Sequence, residues 1–283
     1  MHTSQPTIED FAQVIELLAC DPRIAPHTPE RMRDTLVSGG DKVRVLRFIL
    51  RAHSPAGSPP RVLDIGTQTG SFALFAAKFG CRVSALDYPF FAGIYSRIAT
   101  SHGVDYRACD LASGQLPFED RSFDFVTYTH VIEHHAFSPK PVLQEIHRVL
   151  APGGRVIILT PNHASIYNRL MLFFGRSVYG GFDHFFDASA GTGTYLGHHH
   201  EFTAAELRAA LERTGFHVRE LRVIEEDLAP LLYFRRRYPE RARNSPDRRF
   251  LLVRTLGPLW SLLHLPFGRV LWAVGEKPRA EEA

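Results

Sequence analysis

With 283 residues, 45% of them hydrophobic and 22% charged, the chain can bury a substantial core, and wholesale disorder is excluded. A formal net charge of +3 is too small to argue by itself for a nucleic-acid partner. Cys20, Cys81 and Cys109 have neither the number of a disulfide framework nor metal-type pair spacing, and no apolar run is long enough to cross a bilayer; a reducing cytoplasm is the expected setting.

Residues 1–57 read as a helical preface, in which "IEDFAQVIELLAC" and "DKVRVLRFILRA" carry helical periodicity and "SPAGSPP" breaks the pattern. From Arg61 onward, strand and helix alternate: "RVLDIG", "SFALFAAKFG", "CRVSALDY", a helical stretch near 91–102, "VDYRACD", "SFDFVTYTH", "KPVLQEIHRVL" and "GGRVIILTPN". Such alternation predicts an α/β domain over 58–283, a doubly wound, mostly parallel sheet of seven strands. In "SPKPVLQEIHRVLAPGG", Ser138 is the expected cap, Pro139 suits the first turn, and Gly153 and Gly154 are expected to end the helix. Thr203 and Glu206 have capping-box spacing, and Gly215 marks the exit of that helix. "HVRELRVIE" and "GRVLWAVGEKP" read as two late strands, which makes the residues between them, 228–267 at their core, an insertion.

The stretch "LDIGTQTGSFALFAAKFG" passes from strand to helix through Gly66 and Gly70, a turn that lets backbone approach a ligand at the carboxyl edge of a parallel sheet. Asp87 ends the next strand, where a carboxylate can accept both hydroxyls of a ribose. The chain offers neither G-x-x-x-x-G-K-[ST] nor, at this turn, G-x-G-x-x-G, so a triphosphate or pyrophosphate is not the expected ligand.

These segments resemble the class I S-adenosylmethionine-dependent methyltransferases, whose members carry "VLDIGxGxG", an acidic residue after strand two, and "FDxV…EHxxxPxxxLxExxRVLxPGGxxxxxxPN". The match runs from about Val62 to Asn162, and "LGHHHEFTAAELRAALERTGF" extends it. The resemblance implies S-adenosyl-L-methionine as cofactor, with Asp64, Gly66, Thr67 and Gly70 around its methionine part, Asp87 and the adjoining Tyr88 at the ribose, and Asp110 with Leu111 beside the adenine. His130 would line the cleft between cofactor and acceptor. The family's middle glycine is Gln68 here, whose side chain can narrow the turn or reach the cofactor's carboxylate.

Methyl transfer to a hydroxyl needs alignment and a base, and histidine titrates near neutrality. His130, His134 and His198 are the catalytic candidates. His130, Glu133 and His134 also have i, i+3, i+4 spacing, which with His198 could hold a divalent metal if the segment turns helical. That cluster resembles the E-x-x-E-H site of the metal-dependent ubiquinone-biosynthesis and small-RNA 2′-O-methyltransferases, with His130 in place of the first carboxylate; the exchange favours zinc, iron or manganese over magnesium. The same "EH" occurs in relatives without a metal. Residues 163–200, with Asp183 and His184, read as a substrate lid or as solvated loop.

From 228 to 267, arginines interleave with leucine and aromatic residues, a pattern suited to packed helices, a dimer interface, or contact with the inner membrane surface. No recognisable RNA module accompanies it. The reading that emerges is O-methylation of a small-molecule, saccharide or amphiphilic acceptor, with metal-assisted methylation of a catechol or RNA 2′-hydroxyl, and a non-catalytic cofactor-binding module, as the alternatives.

Overall fold

The computed structural model describes residues 5–19, 39–53, 58–179, 186, 197–224 and 268–279. Two helices come first, α1 (Ile8–Ala19) and α2 (Gly39–Ala52). There follow β1 (Arg61–Ile65), α3 (Ser71–Lys78), β2 (Arg82–Asp87), α4 (Pro89–Ser101), β3 (Asp105–Ala108) and β4 (Phe123–Thr129). The chain continues through α5 (Lys140–Val149), β5 (Leu150–Pro161), α6 (Ile166–Phe173), α7 (Ala204–Glu212), β6 (His217–Ile224) and β7 (Val270–Glu276). The strands form one seven-stranded sheet ordered β3-β2-β1-β4-β5-β7-β6, so the order reverses between β1 and β4, and a crevice opens at their carboxyl ends. β1 to β5 run parallel, whereas β7 is antiparallel to both β5 and β6.

Both sheet faces are covered, which is why β1 and β7 read as nearly unbroken apolar runs. Against one face pack α1, α2 and α3, with Phe11 edge-on to Phe75 at 5.2 Å and Phe48 edge-on to Trp272 at 5.6 Å. Leu143 and Ile146 of α5, Leu207 and Leu211 of α7, and Phe216 fill the other. The thiols of Cys81 and Cys109 are buried, and burial pushes Cys81 up to about 12; Cys20 lies outside the described residues.

The fold class is the expected one, with two local differences. Pro139, not Ser138, occupies the cap position of α5, although the Ser138 hydroxyl still accepts from Lys140 N at 3.3 Å. Gly153 and Gly154 do not end that helix. Leu150 already turns extended and pairs with Phe123, so β5 takes in the whole "APGG" segment through an irregularity in its register with β4. The Thr203–Glu206 capping box forms in full. Asp183, His184 and residues 228–267 lie outside the described residues.

Trp272 is fully buried, with its indole N–H donating to Glu220 Oε2 at 3.0 Å. Trp272→Ala is expected to lower the unfolding free energy by about 3–5 kcal/mol in denaturant titration, since it opens a large cavity and strands a carboxylate partner.

Candidate functional site

The chain leaves β1 through a turn in which Gly66, Gln68 and Gly70 have φ of +73°, +47° and +75°. A Cβ on Gly66 would meet Val131 Cγ2 at 2.3 Å, so glycine is required there twice over, by conformation and by space. Gln68 adopts the left-handed backbone although it is no glycine, at a cost of about 1 kcal/mol. Its N–H donates to Asp87 Oδ2 at 2.5 Å, and its carbonyl accepts from the Tyr106 hydroxyl at 2.8 Å. The departure from the family's glycine therefore leaves the loop path intact.

Beneath the turn lies a cavity of about 220 Å3, lined among others by Asp41, Lys42, Asp64, Thr67, His130 and His134. Asp64 is buried; Thr127 donates to its Oδ1 at 2.7 Å, while its Oδ2 and Thr67 Oγ1 have no hydrogen-bond partner. Burial raises the Asp64 pKa against the pull of Lys42, and burial lowers that of Lys42 against the pull of Asp64 and Asp41. Lys42 Nζ donates to Ser71 Oγ at 3.3 Å, at the first turn of α3, whose cap residue Gly70 supplies no side-chain acceptor.

His130, at φ +56°, stands between two carboxylates: its Nε2 is 3.5 Å from Asp41 and its Nδ1 is 3.6 Å from Glu133. Burial opposes charge on the ring, but the two carboxylates outweigh it and hold the pKa up at about 9. His130 is thus an imidazolium at neutral pH, with no lone pair to accept a proton. Glu133 is fully buried and accepts from Thr160 at 3.0 Å; burial raises its pKa, and the neighbouring His130 charge more than reverses this.

The expected helical turn is a short 3-10 turn, Ile132–His134, and it brings His134 to the lip of the cavity. The Glu133 carbonyl accepts from His199 N at 2.7 Å, which draws residues 197–203 against the turn. His134 and His198 then meet ring to ring at 4.8 Å. His198 Nδ1 lies 2.8 Å from Glu201 Oε1, and that hydrogen bond raises its pKa despite partial burial. Glu201, itself buried, also accepts from Asn168 at 3.3 Å and lies 3.8 Å from His163. Donor atoms of Glu133, His134 and His198 all fall within 4.8 Å of one another, so these three of the four candidate metal ligands converge. His130 is not among the converging three; it bridges Glu133, through Nδ1, and Asp41, through Nε2.

Asp87, Tyr88, Asp110 and Leu111 lie along the same edge but do not line the cavity. Asp87 accepts from Gln68 N and from Tyr88 N at 2.7 Å. Tyr88 is exposed, and Asp110 caps the turn that starts at Leu111 by accepting from Ala112 N at 2.9 Å. Asp41, Lys42 and Glu201 are the residues that sequence reading passed over. The spacing of Glu201 three residues after His198 was the available signal for the last.

Sheet order, the glycine turn and an acidic crevice at the switch point define an α/β protein that takes a nucleoside-type cofactor. The chain belongs to the class I S-adenosylmethionine-dependent methyltransferases: a family model described as a methyltransferase domain matches residues 40–221, a span that takes in α2. Among its relatives, the demethylmenaquinone methyltransferase of Thermus thermophilus is 33% identical over 177 residues, which cover 57% of this chain and 76% of that protein. The ubiquinone/menaquinone biosynthesis C-methyltransferase UbiE of Desulfotalea psychrophila is 30% identical over 194 residues, 65% of this chain and 76% of that one. An S-adenosylmethionine-dependent methyltransferase structure from Mesorhizobium loti shares the fold, with a TM-score of 0.52 at 19% identity, covering 85% of this chain and 100% of that one.

The cavity suits the amino-acid end of that cofactor, since Asp64 Oδ2 and Thr67 Oγ1 are buried there without a hydrogen-bond partner.

Burial raises Asp87 to about 6, against the two backbone N–H groups that favour its charge. Because the folded-state value exceeds the unfolded one, its contribution to stability is full below about pH 4 and is lost as pH rises through about 6. Thermal midpoints recorded from pH 4 to 7 are expected to show that loss in the wild type and not in Asp87→Asn.

Proposed function

We propose that this methyltransferase acts on a hydroxylated, amphiphilic small molecule, with His198 as the base. The observation that carries the reading is the His198–Glu201 pair beside His134 at the cavity lip. Glu201 fixes the ring through Nδ1, which aims Nε2 as the acceptor and stabilises the imidazolium that forms. S-adenosylmethionine, when bound, supplies an electrophilic methyl group. His198 would remove the acceptor's hydroxyl proton, so that the oxygen, or the ring carbon conjugated to it, could take the methyl group as the methyl–sulfur bond breaks and S-adenosylhomocysteine leaves. The Desulfotalea psychrophila relative is a C-methyltransferase, which supports carbon; the pair itself serves either outcome, O-methylation included.

Cofactor binding follows from charge. Asp64 meets the ammonium end and Lys42 the carboxylate end of the amino-acid moiety, with Gly66, Thr67 and Gly70 around it. Ionised Asp87 holds the ribose, and Tyr88, Asp110 and Leu111 flank the base. His130 keeps Asp41 and Glu133 in place as a fixed cation. The acceptor's lipophilic part is supported by α6, which leaves Leu170, Leu172, Phe173 and Phe174 exposed. The basic, apolar segment 228–267 suits work at the inner membrane surface from the cytoplasmic side. No helix among the described residues is long and apolar enough to cross a membrane.

A second reading has its own support. His134 Nδ1 is 3.1 Å from the Gly197 carbonyl and His198 Nδ1 meets Glu201, the outer contacts that orient metal-ligating imidazoles. With Glu133 they would hold a divalent cation against the acceptor oxygen.

Lys42→Met is expected to weaken S-adenosylmethionine binding by about tenfold or more in calorimetry, the loss of one charge-assisted contact. With a naphthol or quinol acceptor, His198→Ala should lower kcat by about 10²-fold or more while the cofactor Kd stays unchanged. Mass spectrometry of the product separates O-methyl from C-methyl. Turnover that survives exhaustive chelation would remove the metal reading, and turnover that survives His198→Ala would remove the base.

A further inference from the structure

On the sheet face away from α5 and α7, a second concavity of about 500 Å3 opens between α2 and the β6–β7 edge. Arg44, Arg47 and Arg51 line it from one side of α2, at i, i+3 and i+7, and Arg222 of β6 lines it from the other. One carboxylate, Glu220, is the opposing charge among its described lining residues. The floor is Phe48 and Trp272 in edge contact.

Three of the four arginines have partners that hold them. Arg222 lies 5.4 Å over the Trp272 ring and 3.6 Å from Glu220, whose other contact is the Trp272 N–H. Arg47 Nε donates to the Pro6 carbonyl at 2.7 Å. Arg44 shares one nitrogen with Asp41 at 3.0 Å, and Arg51 is exposed. Asp41 and Glu220 each offset one of the four guanidiniums, which leaves net positive charge around the hollow, and the several oxygens of a phosphate match such forks where a single carboxylate does not.

We propose that this groove binds a phosphate-bearing anion, separate from the cofactor cavity. A surface for nucleic acid would need basic residues along an extended track; here they converge on one concavity. The phosphate belongs to a free phosphate ester or to a lipid headgroup, and vesicles distinguish the two sources.

The test uses inorganic pyrophosphate, titrated calorimetrically into the full chain at low salt. One saturable site is expected, weakened by about tenfold or more in the Arg51→Gln/Arg222→Gln variant. Neither residue lines the cofactor cavity, so the variant's affinity for S-adenosylmethionine should be unchanged, which separates loss of the groove from loss of the fold. Sedimentation with phosphatidylglycerol vesicles that pyrophosphate reverses supports a headgroup; pyrophosphate binding with no such sedimentation supports a free ester. The proposal is overturned by the absence of saturable heat, by equal affinity in the variant, or by vesicle binding that neither pyrophosphate nor the substitutions alter. It is equally overturned if binding emerges only after Glu225, Glu226 and Asp227 are neutralised, because the chain's own carboxylates would then be the occupant.

Discussion

Asp64, next to last in β1, has one oxygen bonded to Thr127 and the other buried without a hydrogen-bond partner, so that burial opposes its charge and nearby cationic charge favours it. Lys42 brings that charge from α2, and Asp41 on the same helix turn reaches His130 at the end of β4. The N-terminal helices are therefore tied to the crevice by the Asp41–His130 contact and by the Lys42–Ser71 hydrogen bond as well as by the apolar packing of Phe11, Leu46 and Ile49.

The same logic sorts the histidines. His130 sits between two carboxylates and is held charged; His135, against the Tyr128 hydroxyl at 2.8 Å, is driven by burial down to about 4 and stays neutral. His198, at the cavity's edge, is shifted upward by its hydrogen bond to a single carboxylate, Glu201. Residues of one type, within a few ångströms, acquire three electrostatic characters from their neighbours.

Most of the architecture could be read from the chain because its signals are local. Glycines at Gly66 and Gly70, the Thr203–Glu206 box and the apolar strands each fix conformation within a few residues. What could not be read depends on packing between distant segments. Asp41 and Lys42 look like the solvated face of an amphipathic helix until α2 lies across β4 and β5; Glu201 looks like a polar turn residue until the Glu133 carbonyl pulls its segment inward. The extension of β5 through Gly153 likewise needed its neighbour: pairing of Leu150 with Phe123 overrode the helix-stop signal of the glycines.

The antiparallel course of β7 has an evolutionary corollary. Ile224 faces Val270 in the ladder, so the polypeptide that leaves the sheet after β6 returns to it one strand away. Whatever lies between departs and re-enters at a single doorway beside the crevice. That stretch can lengthen, shrink or be exchanged for another without disturbing a rung of the sheet or an atom of the cofactor cradle.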